Sequence, residues 1–318
     1  MPEVVIAVDV GGTTIAAGLV TPDGEVIDER RVPADPAARA TLATLERLID
    51  ELRPRAGDRT VRGIGIGVPG PVDGGRVASE VPHAPDLADR PLADLLRARF
   101  ALPAYVDNDV NALALGERRF GAGRGTRSLV VLAAGTGIGC GIILDGRLVR
   151  GVNGFGGEFG HTPVKFDGPG CWCGGRGCLA VYASGRGIAE AARARVAGQP
   201  SAPLLAAADG DVERITAALV FRLAAAGDPV AAGVADEACR ALGAMIATMV
   251  NGLNPEAIVI TGGVAESLVP LEKQLLAAAA EYAFPRALAA ARITIVPADK
   301  RTTMRGAAAL VLYEQESR

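Results

Sequence analysis

The sequence predicts an α/β protein built as two lobes. Strand-length apolar runs alternate with segments of helical period along most of the chain. A strand–glycine–strand device occurs twice, at Asp9-Val10-Gly11-Gly12-Thr13 and at Ala134-Gly135-Thr136-Gly137. The 318 residues also exceed the size at which a single hydrophobic core usually stops growing. Hydrophobic residues make up 49% of the chain and charged residues 22%, the balance of a folded globular protein. Two similar lobes facing each other would set the two glycine loops across one cleft.

Taken in order, Val4 to Val8 reads as a buried strand, Gly11-Gly12 as a turn, and Ile15 to Val20 as a second strand ending at the turn Pro22-Asp23-Gly24. Residues 37–53 carry Leu42, Leu45, Leu48, Ile49 and Leu52 at helical spacing. The strand Ile64 to Val68 follows and stops at Pro69-Gly70. Strands are expected at Ala104 to Val106, Leu129 to Ala133 and Gly141 to Leu144, with a helix from about Val110 to Phe120 between the first two. Beyond residue 185 the chain becomes Ala-rich and helical, through Gly243 to Val250. The strand Ala257 to Ile260 then runs into Thr261-Gly262-Gly263, and a strand at 292–296 and a helix at 304–315 close the chain.

The charge balance, 33 basic against 36 acidic residues for a net charge of -3, gives no positive field for nucleic acid, so a small ligand is the expected partner. The amino terminus lacks the basic, apolar and small-residue pattern of a signal peptide, and its apolar run is only strand length. A cytoplasmic protein with no membrane partner is therefore expected. Three of the five cysteines, Cys171, Cys173 and Cys178, fall within eight positions, which suits a metal better than a disulfide framework in a reducing compartment. Cys140 and Cys239 read as core thiols.

A strand ending in Asp9, followed by Gly11, Gly12, Thr13 and Thr14, offers bare backbone N–H groups, hydroxyls and a carboxylate that can order Mg²⁺ or its water. That set suits a triphosphate, although a glycine hairpin turn accounts for this segment alone equally well. Its recurrence at Gly135, Thr136 and Gly137, with a third glycine turn at Gly262-Gly263 between a strand end and a helix, points to a nucleotide. Asp107, Asn108, Asp109 and Asn111 gather where a strand meets a helix. One of them would suffice as a helix cap, so four point further, to phosphoryl transfer with Asp109 as general base.

His161, Cys171, Cys173 and Cys178 follow the spacing H-x9-C-x-C-x4-C, one imidazole and three thiolates, a complete tetrahedral shell for structural zinc. With four protein ligands the ion has no open position, so it is expected to order the site rather than activate water. Glu158, three residues before His161 in a loop containing Gly154, Gly156, Gly157 and Gly160, is placed to accept hydrogen bonds from sugar hydroxyls. A surface glutamate is the plainer alternative.

In this order the motifs resemble the ROK family (repressor, open reading frame, kinase), in particular its bacterial glucokinase-like members, nearly end to end. Asp9 to Thr13 is similar to the family's first phosphate loop, and Gly67 to Asp73, with Gly70, to its sugar-side loop. Asn108-Asp109 resembles its catalytic pair, Glu158 to His161 its E-x-G-H motif, and Cys171 to Cys178 its zinc signature. The resemblance implies an actin-like, ribonuclease-H-like two-lobe sugar kinase fold, ATP with Mg²⁺, and a homodimer. The smaller lobe would span 1–112 with the C-terminal helix at about 300–318. The larger lobe, 113–299, would carry the zinc site and the dimerisation surface. It implies that Asn108, Asp109, Glu158 and His161 bind the sugar, with Asp109 as base for the 6-hydroxyl. The family's repressors carry a DNA-binding domain in front, for which a first strand beginning at residue 4 leaves no room.

Three positions depart from the family pattern. Thr14 stands where Lys is usual, Asp86 replaces the sugar-contacting Asn of a P-N-L segment, and Ala180 replaces a Glu just beyond the last zinc cysteine. Losing that carboxylate acceptor makes plain glucose a less obvious substrate. The anion at Asp86 would suit an ammonium group, as in an aminohexose such as kanosamine. Asp86 could instead bind the hydroxyl that Asn would, with water in place of the missing carboxylate, and an N-acetylhexosamine stays open.

Overall fold

The computed structural model describes residues 2–79, 81, 83–197, 203–297 and 299–317. Strands β1 (Glu3–Val10), β2 (Thr14–Val20) and β3 (Val26–Pro33) are followed by helix α1 (Thr41–Leu52), β4 (Thr60–Val68), the short strands β5 (Val72–Asp73) and β6 (Arg76–Val77), α2 (Leu92–Phe100), β7 (Ala104–Asn108) and α3 (Asp109–Phe120). Next come β8 (Leu129–Ala134), β9 (Ile138–Leu144), β10 (Arg147–Leu148), α4 (Leu179–Ala183), α5 (Gly185–Val196), α6 (Pro203–Ala206), α7 (Ala217–Ala225) and α8 (Pro229–Leu253). The chain ends with β11 (Ala257–Thr261), α9 (Ala265–Leu268), α10 (Glu272–Ala280), α11 (Pro285–Ala290), β12 (Arg292–Ile295) and α12 (Lys300–Glu316).

Two five-stranded sheets have the orders β3-β2-β1-β4-β7 and β10-β9-β8-β11-β12. Counted within each set of five, both orders read third, second, first, fourth, fifth, so the device seen twice in sequence is the hairpin of a repeated topology. In the first sheet the hairpins β1-β2 and β2-β3 are antiparallel, whereas β4 and β7 add in parallel. Its central strands are apolar on both faces, as a parallel sheet covered by helices requires.

The chain divides into two compact units, Met1–Leu129 with Gly141–Gly157 and Asp299–Arg318, and Val130–Cys140 with Glu158–Ala298. Helix α3 therefore lies in the first unit, beyond residue 112. It packs on α12 through glycine: a Cβ added to Gly116 would lie 2.8 Å from the Gly306 Cα. In the second unit α8 starts at Pro229, capped by Asp228, whose carboxylate accepts the Ala231 N–H at 2.7 Å. It ends where Asn254 turns left-handed at φ 45°. Among the described residues no single helix is long and apolar enough to cross a membrane.

Strand β3 and helix α2 lie outside the elements read from sequence. The β3 segment VIDERRVP has no residue buried outright, so its position at the sheet edge leaves no apolar alternation to detect.

Candidate active site

In the first unit, register sets the site. Asp9 of β1 pairs with Gly67 of β4, Gly67 with Asp107 of β7, and Val68 with Asn108, so these polar groups collect at the carboxyl ends of parallel strands. A Cβ at Gly67 would come within 3.2 Å of the Asp109 Cα, so glycine lets the start of α3 settle over β4. Asp9 is half-buried, and its Oδ2 accepts the Thr303 hydroxyl at 2.7 Å. Burial raises its pKa above the ordinary aspartate value, against the opposing pull of that hydrogen bond and of the Arg31 charge. The Gly11 N–H donates to the Thr14 carbonyl at 3.0 Å and closes the turn, and a Cβ added to Gly12 would lie 3.3 Å from the His83 ring. Thr14 thus contributes its carbonyl to the turn.

Asn108 caps α3, its Oδ1 accepting the N–H groups of Val110 (2.9 Å) and Asn111 (3.1 Å). Its Nδ2 donates to the Gly70 carbonyl at 3.1 Å, tying the helix start to the loop after β4. Gly70 holds φ 95°, a conformation that favours glycine. Asp109 heads the helix, its Oδ1 accepting the Val110 N–H at 2.9 Å. Beneath them Asp107 is 1% exposed. Its Oδ1 takes the Asn108 N–H (2.8 Å) and the Asn111 amide (2.9 Å), and its Oδ2 takes Arg150 Nε at 2.6 Å. Arg150 Nη2 also reaches Glu314 Oε1 at 2.6 Å. Sequence spacing holds no sign of Arg150, Glu314 or Thr303, because each acts from a segment far along the chain.

Asp86 has a role the sequence does not show. Its Oδ2 accepts the Leu42 N–H at 3.0 Å, capping α1 from 44 positions away where the N-cap residue Ala40 offers no side-chain acceptor. Its Oδ1 is buried and has no hydrogen-bond partner among the described residues.

In the second unit His161, Cys171, Cys173 and Cys178 bring one ligand atom each within 4.8 Å of one another. Zinc bound tetrahedrally at about 2.3 Å from sulfur and about 2.05 Å from nitrogen has S···S edges of about 3.8 Å and S···N edges of about 3.6 Å. Here Cys173 Sγ lies 3.8 Å from Cys178 Sγ, and Cys171 Sγ 3.5 Å from His161 Nδ1. The cluster fits zinc, with Nδ1 as the metal-facing nitrogen. The Gly175 N–H holds Cys173 below the usual thiol range, whereas burial and the neighbouring thiols of Cys171 and Cys173 push Cys178 up to about 12. Cys140 and Cys239 are buried, and burial pushes both thiols up.

Glu158 is exposed and stands one short turn before His161, whose N–H donates to the Glu158 carbonyl at 3.0 Å. Gly160 packs that turn on the Ile138 carbonyl, next to the loop Gly135–Gly137. The Gly135 N–H bonds to Gly137 O (2.9 Å), and the Val264 N–H, just after Gly262-Gly263, bonds to Ala134 O (2.9 Å). Gly262 turns at φ 103°, with its backbone against Ala134. Gly135, Thr136 and Gly263 thereby share the wall of one cavity of about 540 Å³ with Gly185, Arg186 and Thr216.

The ROK family model matches residues 5–314. The chain belongs to the ROK family. It is 36% identical over 321 residues to a glucokinase of Halalkalibacterium halodurans, covering 98% of this chain and 96% of that one. A ROK glucokinase of Streptomyces griseus solved with glucose and AMPPNP superimposes with a TM-score of 0.74 at 34% identity, over 96% of this chain and 98% of that one. A ROK hexokinase of Thermus thermophilus gives 0.83 at 31% identity, over 99% and 100%. The fold is that of the actin-like sugar kinases, and in class the chain is a sugar kinase.

Proposed function

We propose that this sugar kinase transfers the γ-phosphoryl of ATP to the 6-hydroxyl of a hexose, with glucose the substrate best supported. The observation that carries the reading is the head of α3: Asp109 stands beside an Asn108 locked to Gly70, at strand ends shared with Asp9. Asp109 accepts the 6-hydroxyl proton as the oxygen attacks the γ-phosphorus, the new O–P bond forms, and the bond to the β-phosphate oxygen breaks toward ADP. Asn108, Glu158 and His161 orient the sugar. With Nδ1 on the metal side, the His161 Nε2 is the nitrogen left for a hydroxyl. Asp9 would hold Mg²⁺ through water, and the ion supplies neutralisation of phosphate charge. Zinc, held by His161 and the three cysteines, orders the loop.

Glucose is favoured over an aminohexose because one Asp86 oxygen is already spent on the α1 N-terminus, whose positive end offsets the carboxylate charge. The unpartnered Oδ1 supports the second reading, since a sugar ammonium would satisfy it as a hydroxyl would. Steady-state kcat/KM with ATP and Mg²⁺ for glucose, kanosamine, glucosamine, N-acetylglucosamine and N-acetylmannosamine separates these. Preference for glucose supports the first, and preference for an aminohexose that Asp86→Asn abolishes supports the second. Asp109→Ala is expected to lower kcat by at least about 10²-fold with zinc retained, and wild-type turnover would remove Asp109 from the base role. A homodimer is part of the same proposal. It is supported by Tyr282 and Phe284, 52% and 71% exposed on the second unit, and light scattering tests it.

A further inference from the structure

The metal loop and the nucleotide cavity of the second unit meet at one pair of side chains. Trp172 sits between the ligands Cys171 and Cys173, its ring edge-on to His161 with centroids 6.4 Å apart. Arg186, in the first turn of α5, lays its guanidinium over the Trp172 ring at 4.5 Å. The same arginine lines the cavity walled by Gly135, Thr136 and Gly263. Its backbone N–H donates to the Thr136 carbonyl at 3.2 Å, and its Nε to Glu190 Oε1 at 2.7 Å. A long cationic side chain is costly to immobilise when a ligand arrives. The indole face and the Glu190 carboxylate hold this one in place beforehand.

We propose that Arg186 is a binding cation for the triphosphate of the nucleotide and that Trp172 is its positioning residue, so that the metal loop sets donor affinity. This rests on the reading of the cavity as the nucleotide site. Zinc, when bound, anchors the loop on both sides of Trp172, which fixes the surface on which Arg186 lies.

Trp172 is the single tryptophan of the chain, so its emission reports on the pair directly. In the metal-loaded full-length protein, titration with Mg²⁺ and ADP is expected to change that emission, saturating over the range in which ADP inhibits turnover. Trp172→Leu is expected to raise KM for ATP about two- to fivefold. That corresponds to about 0.5–1 kcal/mol, the strength of an exposed cation–π contact, at 1.4 kcal/mol per tenfold. Arg186→Leu, which leaves every metal ligand in place, is expected to raise it at least as much, and Trp172→Phe to restore the wild-type value. In each case KM for the hexose stays constant. Emission indifferent to ADP, together with an unchanged KM for ATP in both leucine variants, would overturn the proposal. An equal rise in the hexose KM in both leucine variants would overturn it too, since that marks a general disturbance of the site. Failure of the kinase reading itself would appear separately, as wild-type protein that turns over no ATP.

Discussion

Arg150→Met tests whether the network under the head of α3 is held by charge. The substitution keeps most of the apolar stem and removes the guanidinium that meets Asp107 and Glu314, each at 2.6 Å. Burial works against that cation, but the Asp107 and Glu314 carboxylates outweigh it and raise the Arg150 pKa above its usual value. Breaking a buried pair by removing one partner costs about 3–5 kcal/mol, because the remaining charge stays desolvated. Two features place this case near about 3 kcal/mol, the lower end of that range. Asp107 keeps its two bonds from Asn108 and Asn111, and Glu314 is exposed enough to rehydrate. For a unit of this size each kcal/mol moves Tm by about 2–4 °C, so a fall of about 6–12 °C is expected in calorimetry at neutral pH. The double variant Arg150→Met, Asp107→Asn should recover part of the loss, because the stranded charge is then gone. A Tm within about 2 °C of wild type for Arg150→Met, less than about 1 kcal/mol, would refute the argument and make the pair a solvated contact.

Two further outcomes follow from the ionisable groups. Burial raises the Asp9 pKa, so the native state binds its proton more tightly than the unfolded chain does, and the charged form detracts from stability at neutral pH. Asp9→Asn is therefore expected to raise Tm near pH 7.5 while impairing turnover with Mg²⁺ and ATP. The Tm gain should disappear as pH falls through the raised pKa toward the unfolded value of about 3.9, and a lower Tm at neutral pH would contradict it. For the metal, about one zinc per chain is expected by elemental analysis. Since the Cys178 thiol is pushed up to about 12, uptake must displace its proton, and competition against a chelator should show zinc affinity rising at least about tenfold per pH unit. Affinity independent of pH would contradict a protonated Cys178 thiol in the metal-free protein.

Local chemistry was legible in the sequence. The histidine–cysteine cluster could be read because its three cysteines lie within eight positions. The strand–glycine turns could be read because a backbone approaching a ligand needs residues without side chains. In the sequence, capping and catalysis are alternative explanations of Asn108-Asp109. In the structure Asn108 caps α3 and also anchors Gly70, so capping sets the geometry in which Asp109 stands. The long central strands and α8 followed from apolar period, whereas the half-exposed edge strand β3 did not.

The sequence by itself determined the α/β class, the duplicated hairpin device, the one-histidine, three-cysteine cluster proposed to hold a metal and the carboxylate proposed as base, all carried by residues close together in the chain. Only the tertiary structure decided that Thr303 hydrogen-bonds to Asp9, that Arg150 joins Asp107 to Glu314, that Asp86 caps α1 and that Trp172 carries Arg186. Apolar period and glycine placement are imposed on each segment by its own backbone. A hydrogen bond or stacked pair between distant segments imposes no spacing on either, and it exists only once folding brings the two together.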